Sequence, residues 1–146
     1  MKVILNYQGA GAAFEGVTED GQGLILDGSA ALGGQGLGPR PMEMVLFGLA
    51  GCAAMDVLHI IRKGRRELEH ARITVDAERA DAIPAVFTSI HLSFELRGPR
   101  LTQVIAERAV ALSLERYCSV AQMLSPHVAL SASISMADPM VDQCDD

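Results

Sequence analysis

Tryptophan is absent from this 146-residue chain, and two tyrosines and four phenylalanines are its only aromatic side chains. With aromatics at 4% and apolar residues at 49%, the core must be aliphatic. Positive charge is also scarce: 12 lysines and arginines face 18 aspartates and glutamates, for a formal net charge of −6. Such a chain gains little from counterion release on nucleic acid or from attraction to anionic lipid, so both partner classes are set aside. Three cysteines are too few and too far apart for a secreted disulfide scaffold, and no Cys-x-x-Cys pair offers a zinc site. His70, His91 and His127 stand at strand edges without ligand-like spacing, so no metal is expected. The N-terminal MKVILNYQGAG lacks the apolar stretch of a signal peptide. The longest apolar run is interrupted by Glu43, Asp56 and His59 and reads as short of a membrane span. These absences point to a soluble, cytoplasmic protein whose thiols are reduced at rest.

Short strand-like segments occupy 2–7, 12–18 and 23–27, with Asp20-Gly21 as a hairpin signal between the last two. The glycine-rich stretch GSAALGGQGLGPRP at 28–41 has no periodicity, so a mobile or functional loop and a plain spacer are both open. Pro41 suits the first turn of a helix running to about Lys63, closed by Gly64 and by the cations Arg62, Lys63, Arg65 and Arg66 at its negative end. Its middle turns leave no continuous polar face, which requires cover on nearly all sides. Alternation at 72–78 and 90–97 predicts two strands with one buried face, joined through Pro84. A second apolar helix is expected over 101–124 and a last strand over 127–136. The domain is then 1–136, and the acidic 137–146 reads as a disordered tail carrying an incidental thiol, Cys144. The order is βββ-α-ββ-α-β, an α+β plan. Six short strands cannot cover two such helices in a chain of this size, so an obligate homodimer is expected.

Cys52 lies at the centre of the first helix. At about 100° per residue, Asp56 falls one turn beyond it on the same face, and His59 and Lys63 extend the stripe. A thiol, a carboxylate, an imidazole and an amine thus share one edge, in which a nearby cation would favour the thiolate. Alternatively Asp56 and His59 satisfy each other and Cys52 is a small core residue. Cys118, beside Tyr117 and Ser119 late in the second helix, tips the balance toward chemistry. Two thiols on helices that pack together can come within disulfide reach, about 5.5–6 Å between Cα atoms.

The segment GPRPMEMVLFGLAGCAAMDVLHIIRKGR, followed downstream by YCSVAQML, resembles the OsmC/Ohr family of hydroperoxide-reducing proteins over roughly residues 1–136. The resemblance implies an intertwined homodimer in which two sheets wrap central cysteine-bearing helices. It also implies that Cys52 is the peroxidatic thiol and Cys118 the resolving one. Two positions depart from the Ohr branch: no arginine precedes Arg40, and Met42 stands where that branch has a glutamate. Glu43, one residue on, resembles the Pro-x-Glu start of the OsmC-like branch and reads as a helix-start carboxylate before it reads as a catalytic one. Arg40, in the loop before the helix, is the first substitute for the missing arginine, ahead of His59 and Lys63.

The function implied is a thiol-dependent peroxidase acting on organic hydroperoxides. Cys52 would be oxidised to a sulfenate, Cys118 would close a disulfide, and an external dithiol would reset the pair without any cofactor. The alternatives are a non-catalytic dimer binding a small apolar ligand at the subunit interface, and a thiol redox sensor.

Overall fold

A computed structural model of the chain describes residues 1–138. Of the disordered tail expected over 137–146, residues 139–146, Cys144 among them, fall outside the described residues. The chain divides into two compact units, Met1–Phe47 and a larger one beginning at Gly48.

In the N-terminal unit, β1 (Val3–Tyr7), β2 (Phe14–Thr18) and β3 (Gly23–Leu26) form an antiparallel meander in the order β1-β2-β3. Register runs from Val3 opposite Thr18 to Tyr7 opposite Phe14. The Asp20-Gly21 signal is realised as a turn in which Gly21 takes φ +81 and the Gln22 N–H donates to Thr18 Oγ1 at 3.1 Å. Val3, Ile4 and Leu5 are nevertheless all exposed, so this sheet lacks cover of its own.

The glycine-rich stretch after β3 is pinned in place. Asp27, only 2% exposed, accepts the N–H of Gly28 on Oδ1 (2.7 Å) and those of Gln35 (2.8 Å) and Leu37 (3.0 Å) on Oδ2. Those N–H donors, Leu37 and Gln35 foremost, hold its carboxyl below the ordinary value of 3.8. The glycines serve close approach here. A Cβ on Gly34 would overlap the Gly28 carbonyl, and one on Gly38 the Ile25 carbonyl.

The helix α1 (Pro41–Lys63) crosses from one unit into the other. Pro41 occupies its first turn, and the Glu43 carboxylate reaches back to accept the Arg40 N–H at 2.7 Å, half of a capping box. Glu43 is thereby engaged at the helix start. At the other end the left-handed residue is Arg65 (φ 57), one position after the Gly64 that the sequence marks as the stop. By length and composition α1 could cross a membrane, although the sequence reading set this aside. Its interruption by Asp56 and a buried stripe at every fourth residue, Leu49, Ala53, Val57 and Ile61, give it a side that packs within the fold.

The C-terminal unit holds β4 (His70–Arg79), β5 (Phe87–Arg97) and β6 (Ala129–Met136). β4 pairs antiparallel with β5, from His70 opposite Arg97, and β6 lies parallel to β5, with Ile90 opposite Leu130 and Phe94 opposite Ile134. A parallel neighbour requires a crossover, and helices supply it. Ile90, Leu92, Phe94 and Leu96 are buried as the alternation predicts. With the α1 stripe and the small residues Ala106, Ala109 and Ala121 they make a core that is aliphatic apart from Phe94 and the neighbouring Phe87.

The crossover differs from expectation. In place of one helix over 101–124 there is α2 (Gln103–Leu112), a π-helical turn (Ser113–Tyr117), a break at Cys118, and α3 (Ser119–Leu124). The Cys118 N–H donates to the Ser113 carbonyl at 2.8 Å, an i to i+5 bond that admits one extra residue into the turn. The architecture is α+β, with two three-stranded sheets.

The Asp27 anchor has a pH signature. Its folded carboxyl is lowered, so the stability it contributes is fully present above the unfolded value of 3.8 and is lost as pH falls through the folded value. Asp27→Asn should lower thermal stability at neutral pH and flatten the acid limb of the melting-temperature profile. An unchanged acid limb in that variant would show that Asp27 does not hold the loop.

Candidate thiol site

Two segments meet at Cys52, α1 itself and the break between the π turn and α3. The helical repeat of α1 sets Asp56 one turn beyond it, and the break after the π turn delivers Cys118. Cys52 Sγ, Cys118 Sγ and an Asp56 carboxylate oxygen all lie within 4.8 Å of one another. Both cysteines are free thiols.

Cys118 is wholly buried and serves as the N-cap of α3, with φ −66 and ψ 104. Its sulfur accepts the Ala121 N–H at 3.4 Å, a job usually given to Ser, Thr, Asp or Asn. Burial pushes its thiol up to about 11, and the hydrogen bond to Cys52 adds in the same direction, against the N–H groups of Ala121 and Val120. Cys118 is therefore a protonated thiol at neutral pH. A thiol raised by such a bond is one that donates its S–H to the neighbouring sulfur. Cys52 is half-buried, so the two sulfurs sit together in unlike surroundings.

Ser113 ties the helices together. Fully buried, its hydroxyl lies 3.3 Å from the Ala53 carbonyl and 3.4 Å from Asp56 Oδ2, so the first residue of the π turn orients the carboxylate beside the thiols. Sequence reasoning passed over it. The available signal was a lone polar residue in the apolar run AVALSL, which when buried must find a partner.

Beside the thiols, a cavity of about 580 Å³ is lined by Asp56, His59, Ile60, Lys63, Gly64, Leu112 and Tyr117. Asp56 is thus common to the cavity and the thiol cluster, while His59 and Lys63 line the cavity and do not join the cluster. Arg40 and Glu43 belong to the N-terminal unit. Arg40 is exposed, and its backbone N–H is held by Glu43. No metal was expected from the spacing of these residues, yet the fold brings three potential donors together.

A family model described as OsmC-like protein matches residues 34–133, a span that holds Arg40, both thiols, Asp56 and Ser113. The protein YhfA of Escherichia coli (strain K12) is 38% identical over 123 residues, covering 84% of this chain and 89% of its own. Among solved structures, a hypothetical protein of Aquifex aeolicus VF5 is 27% identical with a TM-score of 0.77, covering 94% of this chain and 97% of its own. An organic hydroperoxide resistance protein OsmC of Legionella pneumophila, 24% identical, shares the fold with a TM-score of 0.69 over 92% of this chain and 97% of its own.

The capping role separates two substitutions at Cys118. Cys118→Ser keeps a cap acceptor and should leave the stability of the reduced protein nearly unchanged, whereas Cys118→Ala should cost about 1 kcal/mol. Urea denaturation under reducing conditions measures both. Equal losses for Ser and Ala would mean that the sulfur does not cap α3.

Proposed function

Because the chain belongs to the OsmC family, we propose that it is a thiol-dependent peroxidase that reduces organic hydroperoxides, with Cys52 attacking and Cys118 resolving. The observation that carries this reading is the unlike pair of sulfurs within 4.8 Å. Cys118, buried and raised to about 11, is suited to wait as a thiol, and half-buried Cys52 to meet the substrate. Solved relatives of the same fold bear the name organic hydroperoxide resistance protein.

The chemistry balances without a cofactor. The Cys52 thiolate attacks the peroxide oxygen, the O–O bond breaks, and with one proton the alcohol leaves and Cys52 becomes a sulfenic acid. The Cys118 sulfur then attacks the sulfenic sulfur, its proton leaves with the hydroxyl as water, and a disulfide forms. An external dithiol, oxidised in turn, returns both thiols. Ser113 holds the Asp56 carboxylate beside the pair, and Lys63 brings a cation to the neighbouring cavity, which His59 also lines. Ile60 and Leu112 favour organic over hydrogen peroxide, at about 0.8 kcal/mol for each methylene of the substrate they bury. Arg40 is the arginine proposed to reach the thiolate, and Glu43 serves it by holding its backbone at the helix start.

A homodimer in the cytoplasm completes the proposal. Phe47 (64%) and Met55 (72%) on α1 are exposed together with the apolar residues of β1, more than a lone chain would leave to water. A second reading, a non-catalytic protein binding a small apolar ligand, draws support from the lack of any arginine before Arg40.

Stoichiometric cumene hydroperoxide should convert the reduced protein to a Cys52–Cys118 disulfide that peptide mapping by mass spectrometry identifies, with Cys144 left free. Cys52→Ser should abolish peroxide consumption, and Arg40→Ala should slow it at least about tenfold through loss of a charge-assisted contact. Peroxide turnover that survives in Cys52→Ser, or oxidation confined to Cys144, refutes the peroxidase reading.

Sedimentation at low micromolar concentration should give a dimer, with unfolding that depends on protein concentration. A folded monomer would remove the dimer from the proposal.

A further inference from the structure

We propose that the reduced protein binds one thiophilic divalent cation, of the zinc and cadmium class, through Cys52 Sγ, Cys118 Sγ and an Asp56 carboxylate oxygen, with a fourth position open to the adjoining cavity. The three donor atoms already lie within 4.8 Å of one another. A tetrahedral ion with bonds of about 2.3 Å to sulfur and about 2.0–2.2 Å to oxygen separates its ligand atoms by roughly 3.5–3.8 Å. Closing that gap takes at most about 1 Å of approach between donors. Cys52 and Asp56 come from successive turns of one helix and Cys118 from the break beside it, so the donors reach a common point from two rigid elements.

The surroundings are those of a supported site. Asp56 is oriented by the buried Ser113 hydroxyl at 3.4 Å, and Cys118 Sγ accepts the Ala121 N–H at 3.4 Å, a bond that offsets charge on a ligating thiolate. Two sulfurs and one oxygen select zinc or cadmium over magnesium and calcium, which demand oxygen shells of higher coordination number. Two thiolates and a carboxylate against a divalent ion leave one negative charge, and His59 and Lys63 line the cavity that Asp56 shares. Of the three donors Asp56 borders that cavity, and the fourth ligand of the proposed site, water or an exogenous group, is taken from its side. The site does not rest on the peroxidase reading, although the two would exclude each other in time. A metal held by both sulfurs blocks the disulfide, and oxidation of both sulfurs removes the ligands.

Cobalt titration of the full-length reduced protein, without oxygen or peroxide, tests this directly. Expected are one cobalt per chain, the near-ultraviolet thiolate-to-cobalt charge-transfer absorption with visible bands of tetrahedral intensity, and bleaching on addition of zinc. Cys52→Ser and Cys118→Ser should each remove at least about half of the charge-transfer band and weaken cobalt binding at least about tenfold. Asp56→Asn should keep the band with affinity lowered about tenfold, and Cys144→Ser should change neither. No band at stoichiometric cobalt overturns the proposal, as does a band untouched by the Cys52 and Cys118 variants or one removed by Cys144→Ser. Should those variants misfold, alkylation of the unaltered protein decides: zinc must slow modification of Cys52 and Cys118, and unchanged rates refute the site. Because no peroxide is used, failure here leaves the disulfide chemistry standing, and failure of the disulfide leaves the metal result standing.

Discussion

One irregular hydrogen bond sets the geometry of the site. The Cys118 N–H closes on the carbonyl of Ser113, five residues back, and the turn widens by one residue. A regular α-helix through this segment would keep residue 118 helical and leave its sulfur without the Ala121 N–H. The widened turn instead releases Cys118 to extended geometry (φ −66, ψ 104), which makes it the cap of the next helix and turns its sulfur toward Cys52. The same turn begins with Ser113, whose hydroxyl lies within reach of Ala53 and Asp56 on α1. Capping, inter-helix contact and thiol pairing therefore share one backbone feature.

Two aspartates, one buried and one half-buried, show how partners decide a role. Asp27 has its oxygens taken up by three backbone N–H groups, which lower its carboxyl and leave it as an anchor for the loop. Asp56 meets one weak hydroxyl contact among the described residues and opens on a cavity. A carboxylate with spare acceptor capacity beside two sulfurs is available for chemistry, and one saturated by backbone is not. The thiols divide in the same way. Cys118 is raised by burial and by its bond to Cys52, whereas Cys52 is half-buried.

The helix α1 connects these roles. Its buried stripe of Leu49, Ala53, Val57 and Ile61 fixes its rotation, and that rotation places Cys52 and Asp56 on the side of the crossover and leaves Phe47 and Met55 exposed. The bare apolar residues of β1 pose the same demand for cover in the N-terminal unit.

Much of this was legible in the residues. Period-two alternation set β5 and its buried Ile90, Leu92, Phe94 and Leu96, because a pleated strand offers alternate side chains to one face. Pro41 and Glu43 marked the start of α1 through local backbone chemistry, and Cys52 and Asp56 shared a face because 3.6 residues make a turn. The family resemblance, carried by the cysteine-bearing segments, agrees with the match over residues 34–133. Other features were hidden. The glycine-rich stretch read as mobile or as a spacer because composition does not show that one carboxylate gathers N–H groups eight and ten residues away. The second helix read as continuous because a π turn has no propensity of its own and is held by the packing around Ser113. Proximity of Cys118 to Cys52 across 66 positions, the wedge of Ser113, and a three-donor cluster without motif spacing arise when separate elements pack. Periodicity reports which face of an element is buried, and only the tertiary structure decides what that face meets.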